Sequence, residues 1–180
     1  MGSSFGKCDF KGLEKLRKQI EQLKDKRNEF IEACAKELAS RLLAKVIKRT
    51  PVGDYSKEIK VTAKRDGKKH KKGEVYTKRI NPSGKVGGTL RRGWTGGEKQ
   101  NAKDYANSLK IEHIGDVYKI EIRNPVEYTS YVEHGHRTRD GEGWVEGHFM
   151  LTISEQEIQT IAPRILEDKL RKLLEEHFKW

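Results

Sequence analysis

The chain is short of apolar residues and has no long run of them. Only 34% of its 180 residues are hydrophobic, so a thin core and extended elements are expected, in one domain spanning residues 1–180. No stretch of about 18 apolar residues exists, so no membrane contact is expected. Residues 1–12 have no apolar core and do not read as a signal peptide. Cysteine is confined to Cys8 and Cys34, without CxxC spacing. A reduced, intracellular protein is expected, with Cys34 in the core on an apolar helix face. The phosphate-cradling patterns GxxxxGK[ST] and GxGxxG are missing, and Gly84-Lys-Val-Gly-Gly88 reads as a hinge. His134-x-His136 with His148, beside Glu133, Glu142 and Glu146, has the residue types of a zinc site. The spacing fits no hydrolytic signature, however, and HExxH is absent, so neither catalysis, metal nor cofactor is expected. No internal repeat is present.

Charge is what the chain has in quantity: 36% of residues are charged and the net charge is +11. Between Ser56 and Lys99, fourteen Lys and Arg face four Asp and Glu, which accounts for nearly all of the excess. Within this basic insert, residues 56–87, Ile59, Val61 and Ala63 alternate with charged residues, as do Val75 and Thr77 with their neighbours. Asp66-Gly67 can turn, so a β-hairpin over Lys57–Ile80 is expected. Its tip holds Lys64, Arg65, Lys68, Lys69, Lys71 and Lys72, which repel one another and should leave it mobile with nothing buried. These six are the candidate contacts to DNA phosphates, by counterion release and without base specificity. A solvated loop, or one docked on an acidic partner, is the competing reading. Interleaved exposed aromatics, as on a single-strand stacking platform, are absent.

Apolar residues recur at spacings of three and four from Leu13 to Ile47, with Arg27 the one interruption. This predicts one amphipathic helix over 12–49, ended by Pro51. At about 1.5 Å per residue it would be on the order of 55 Å long, so its charged first half should protrude, leaning on the C-terminal helix or a neighbouring subunit. Alternation over Tyr105–Ile114 and Val117–Arg123, joined at Gly115-Asp116, predicts two strands of a sheet within 88–123, with a further strand near Leu90–Thr95. Ser154-Glu-Gln-Glu157 reads as a capping box opening a C-terminal helix over 152–178, kinked or restarted at Pro163. The order of elements gives an α+β fold, with terminal helices on a small antiparallel β-sheet and an inserted basic β-hairpin.

Asn124 to Gly135 joins the last strand to a glycine-rich loop. Pro125 makes a turn, and Tyr128, Tyr131 and Val132 fall on one face of a short helix over 126–134. A helix of about nine residues is marginal alone, so its aromatic face must pack on something. Glu133 and His134 read as solvated residues beside it.

Four motif segments follow one another along the chain: Thr50-Pro-Val-Gly53, Gly88-Thr-Leu-Arg-Arg-Gly-Trp94, Tyr128-Thr-Ser-Tyr-Val-Glu-His-Gly-His-Arg137 and Gly147-His-Phe-Met-Leu151. Together they resemble the neck, or tail-completion, proteins of tailed phages, the gene-ten-product group of lambdoid siphophages, over residues 12 to 178. In that family TPVDTG and LRxSW nearly adjoin, whereas here the basic hairpin stands between them. His136 replaces the usual threonine, and His148-Phe149 stands where a proline precedes the apolar pair. The resemblance implies a structural virion protein without catalysis, made in the host cytoplasm and placed in the head-tail neck. It implies a homo-oligomeric ring, commonly hexameric, between the head connector or adaptor and the tail-terminator or tail-tube proteins; nonspecific contact with packaged DNA is expected from the charge of the basic hairpin. The expected assembly interface is Tyr128, Tyr131, Val132 and Glu133, with Arg91, Arg92 or Arg137 pairing the Glu133 carboxylate.

Overall fold

A computed structural model describes residues 11–98 and 100–178; Cys8 and Lys99 lie outside them. The architecture is α+β, with helices near both ends, small antiparallel sheets and the basic hairpin. The chain divides into two compact units. The first draws on Met1–Val46, Gln100–Arg123 and Met150–Trp180, the second on Ile47–Lys99 and Asn124–Phe149.

The first unit is organised by its long helices. The expected single N-terminal helix is α1 (Lys11–Asp25) and α2 (Arg27–Arg49), parted only at Lys26. Lys26 N–H still donates to Gln22 O at 3.3 Å and Phe30 N–H to Lys26 O at 3.0 Å, so the hydrogen-bond ladder crosses the break. Cys34, Ala39, Leu43 and Val46 are the buried residues of α2. Full burial of Leu43 or Val46 contributes about 1.5–3 kcal/mol. Burial also pushes the Cys34 thiol pKa up.

The C-terminal helix α6 (Met150–His177) runs antiparallel to α1 and α2. Lys45 Nζ meets Glu157 Oε2 at 2.6 Å, Lys169 Nζ donates to Ala33 O at 3.2 Å, and Gln19 Nε2 donates to His177 O at 2.9 Å. Two expectations for this helix are corrected. Ser154 does not cap it: the helix has already begun at Met150, and the buried Ser154 hydroxyl donates back to Met150 O at 2.6 Å. Nor does Pro163 restart it, because apolar residues on both sides hold the segment as one helix despite the lost N–H.

The expected strand over Tyr105–Ile114 is half helix. Asn101 caps α4 (Ala102–Ser108) by accepting from Asp104 N–H at 2.9 Å, and only β3 (Ile111–Ile114) is extended. It pairs with β4 (Val117–Ile120) through a two-residue turn at Gly115-Asp116, with Gly115 at φ 62°. Ile114 and Val117 beside the turn are exposed, so the buried face expected along these strands extends over only part of them. The hairpin is fastened to α2 instead. Tyr118 OH donates to Asn28 Oδ1 at 2.7 Å, Arg27 reaches Asp116 at 3.1 Å, and His113 Nε2 lies 3.1 Å from Glu32.

The second unit holds the basic hairpin, β1 (Lys57–Thr62) against β2 (Val75–Ile80), over the expected span and with Lys57 opposite Ile80. Leu90–Thr95, expected as a strand, forms α3 (Thr89–Gly93) and a turn. The helix α5 is shorter than expected, Thr129–His134. A third hairpin, β5 (Gly135–Arg137) with β6 (Trp144–Glu146), lies in the segment read as loop. Among the described residues, the single sheet expected within 88–123 is therefore replaced by three separate two-stranded sheets.

Candidate functional site

The foot of the basic hairpin brings together segments that the sequence separates. Arg91 in α3 donates through Nε and Nη2 to Thr50 O at 3.2 and 2.6 Å. The buried Trp94 indole donates to Thr50 Oγ1 at 2.8 Å. Gly87 lies so close to the other end of the hairpin that an added Cβ would stand 2.2 Å from Gly53 O. Only glycine allows that approach, so Gly84–Gly88, read as a hinge, includes a packing contact.

Next to it, Asn124 pins the start of the aromatic segment. Its Nδ2 donates to Leu90 O at 2.9 Å, and its Oδ1 accepts from Val126 N–H at 3.1 Å. Gly135 ends α5 with φ 86°, where a Cβ would meet Val145 O at 2.4 Å. The strap after β6 then clamps the helix: His148 N–H donates to Val132 O at 2.8 Å and Phe149 N–H to Glu133 O at 3.0 Å. Phe149 adopts φ 46°, the one non-glycine residue with positive φ among those described.

These pieces enclose an open groove of about 320 Å³. Pro51, Val52, Leu90, Tyr128, Tyr131 and Val132 line it, so three of the four motif segments meet there, and His148 of the fourth reaches its wall. The aromatic face of α5 is not packed away. Tyr131 is 58% exposed and Tyr128 45%, whereas Glu133 is 6% exposed. This reverses the expectation for the helix: its carboxylate is the buried residue and its tyrosines form the lip of the groove. Val52, Tyr55, Val86 and Val145 are lining residues that sequence reasoning missed. Val86 lies between Lys85 and Gly87 and Val145 between Trp144 and Glu146, with no periodicity to mark either.

The three arginines expected near Glu133 lie on two elements, α3 and β5. Arg91 is engaged with Thr50, and Arg92 donates to Gly87 O at 3.3 Å. Arg137 is exposed on β5 opposite Trp144. The three histidines have separate surroundings: His134 faces the Phe149 ring, His136 meets Tyr131 edge-on at 5.8 Å, and His148 is in the strap. Among the described residues no group of three His, Cys, Asp or Glu is placed to hold a metal ion. An apolar cleft with a tyrosine lip is suited to receiving apolar side chains.

The hairpin tip has a defined hydrogen-bond pattern. Gly67 N–H donates to His70 O at 2.9 Å, Lys72 N–H to Asp66 Oδ1 at 2.8 Å, and Lys71 N–H to Glu74 Oε2 at 2.9 Å. His70 is half-buried and stacks on Tyr76 with ring centroids 4.1 Å apart and planes 8° from parallel. The expectation that nothing in the tip is covered is thus corrected, because an aromatic pair supplies the missing apolar contact. Lys64, Arg65, Lys68 and Lys69 surround a shallow hollow beside this pair, and Lys71 and Lys72 follow it in the chain. The Lys71 amide, then the His70 ring, hold the Glu74 pKa below its ordinary value. At the hairpin's base, hydrogen bonds from Ser56, then the Arg79 charge, do the same for Asp54.

Comparison with known proteins agrees with the family read from the motifs. Residues 14–85 match the family model described as "Bacteriophage HK97-gp10, putative tail-component". The match runs from α1 through the basic hairpin and contains the Pro51–Tyr55 side of the groove. It supports a structural part in a phage tail, a place in the virion and other virion proteins as partners. No curated protein and no solved structure matches the chain. Among the described residues no helix is long and apolar enough to cross a membrane.

Proposed function

We propose that this chain, whose residues 14–85 carry the tail-component match, is a neck or tail-completion subunit that assembles into a closed ring, six copies in the simplest case. The whole of residues 1–180 acts as one assembly domain. The ring joins the head connector or adaptor to the tail-terminator or tail-tube proteins, and no bond in any substrate is made or broken there. The observation that carries this reading is the groove of the second unit, where the motif segments converge and two tyrosines stand exposed at an apolar cleft. Tyr128, Tyr131 and Val132 receive a neighbouring subunit, Glu133 and Arg91 hold the groove's shape, and Arg92 and Arg137 stand at its margins. Aromatic residues in such a cleft are the usual anchors of protein interfaces. Electron microscopy of the purified full chain tests the reading: rings of uniform diameter are expected, and a field of monomers or open fibres would contradict it.

Within that ring the six cations of the hairpin contact packaged DNA through its phosphates. A second reading, a nucleic-acid-binding accessory protein, is favoured by the same ordered tip, since the His70–Tyr76 stack gives the lysines a fixed platform. It requires the free protein to bind DNA with a steep salt dependence. Replacing Lys68, Lys69, Lys71 and Lys72 by Gln would then reduce the logarithmic salt slope by about 3–4.

A further inference from the structure

We infer that α1 of one copy docks in the groove between α2 and α6 of a second copy, an inference that rests on the self-assembly proposed above but uses a different surface. The 15-residue α1 has no buried residue among those described; Leu13 is 60% exposed and Ile20 53%. Its Gln19 side chain donates to His177 O at the end of α6, but a helix of that length holds little structure in water unless its apolar stripe is covered as well. Leu13, Leu16, Ile20 and Leu23 recur at spacings of three, four and three, the narrow seam of a helix that packs on other helices. Arg17, Lys24 and Lys26 flank that seam, with Gln19, and Arg17 also pairs with Glu21 at 3.1 Å; the outer face carries both signs, Glu14 and Asp25 beside Lys15 and Lys18. Two copies of α1 laid against each other would bring these cations together, so the seam calls for an apolar surface with an acidic rim.

The first unit carries such a surface. Phe30, Ile31, Cys34, Leu38, Leu166 and Leu170 line an apolar groove of about 480 Å³ on α2 and α6. Its two charged lining residues are Glu167 and Asp116, the latter already paired with Arg27 at 3.1 Å. Leu170, and Leu174 one turn beyond it, remain exposed. The groove's own α1 cannot fill it. The hydrogen-bond ladder carries α1 straight on from α2, so Leu16 lies roughly 27 Å along the helix from Cys34 at about 1.5 Å per residue. Docking is therefore between copies, as a helix laid in a groove. A stripe on one end of the chain meeting a groove elsewhere on it is a head-to-tail contact, which closes into a ring when the rotation permits.

Charge reversal at exposed positions of the full chain tests this, read by sedimentation velocity at low salt. Arg17→Glu with Lys24→Glu, and separately Glu167→Lys, should each weaken self-association by about tenfold or more. The three substitutions combined should restore it, because the opposed charges are again complementary. Association unchanged by the reversals, or weakened but not recovered in the combination, would overturn the inference. If rings still form and Tyr131→Ala still disperses them, only this docking mode is lost. A wild-type chain that is monomeric throughout would remove the assembly reading as well.

Discussion

The indole of Trp94 donates to the hydroxyl of Thr50 across the foot of the basic hairpin, and both residues are almost wholly buried. The segment between them is consequently a loop-out with its two ends fixed to each other. Arg91 and the Gly53–Gly87 contact secure the same junction. Loop-closure cost grows slowly with length, so a long insertion is tolerated where its ends already meet. Two motifs that stand apart in this sequence therefore lie together in the fold.

Trp94→Phe removes the hydrogen bond and part of the ring volume while keeping an aromatic. A loss of about 1–3 kcal/mol is expected in chemical denaturation of the full chain. An unchanged midpoint would mean that the junction is held without this bond.

Gly87→Ala and Gly67→Ala should behave oppositely. At Gly87 a methyl group meets the backbone of Gly53, and a loss of about 1–3 kcal/mol is expected. At Gly67 the nearest atom, His70 O, is 3.7 Å away, so alanine should be neutral or stabilise by about 0.4–1 kcal/mol. Equal effects in thermal melts of the two variants would contradict the close approach at the hairpin's foot.

Tyr131 and Glu133 should separate assembly from folding. Tyr131→Ala removes an exposed ring and should abolish oligomers; since surface substitutions usually change a subunit's own stability by less than about 0.5 kcal/mol, the variant should melt with wild-type subunits diluted below assembly. Glu133→Ala removes a buried carboxylate and should destabilise the monomer by about 1–3 kcal/mol as well as weaken assembly. Calorimetry and light scattering on both variants check this together.

The hairpin tip should loosen in acid. Glu74 accepts from the Lys71 amide and has a folded-state pKa below its unfolded one. Its contribution is therefore complete above the ordinary glutamate value of about 4.3 and lost as pH falls from there through the folded value. Amide exchange at Lys71, corrected for intrinsic rate, should show protection lost over that range in wild type. In Glu74→Gln protection should be lower and independent of acid; a wild type with no such acid dependence would contradict the assignment.

How far the sequence foretold the fold varied with the physics of each element. The basic hairpin was legible in its span but not in its register: a turn centred on Asp66-Gly67 would pair Lys57 with Tyr76, whereas Lys57 lies opposite Ile80. The terminal helices were legible from periodicity over many turns. Thr89–Gly93 was not, since five residues cannot display a helical period. Ala102–Ser108 had a signal that was passed over: Asn101, three residues before Asp104, is an N-cap pattern, outweighed in the reading by the alternation from Leu109 onward. Ser154 misled in the opposite way, because a hydroxyl inside a helix returning to the carbonyl four residues back carries the same sequence as a cap. For the groove, Tyr128, Tyr131 and Val132 were legible as a face, but its exposure was not, because the burial of Glu133 depends on a strap that the sequence shows only as a glycine-rich loop.

Native mass spectrometry of the purified full chain, wild type beside Tyr131→Ala, tests the central claim most directly. The account predicts one closed oligomer, of six copies in the simplest case, that gives way to monomer in the variant. A wild-type chain that stays monomeric at every concentration, or an oligomer indifferent to the loss of Tyr131, would contradict it.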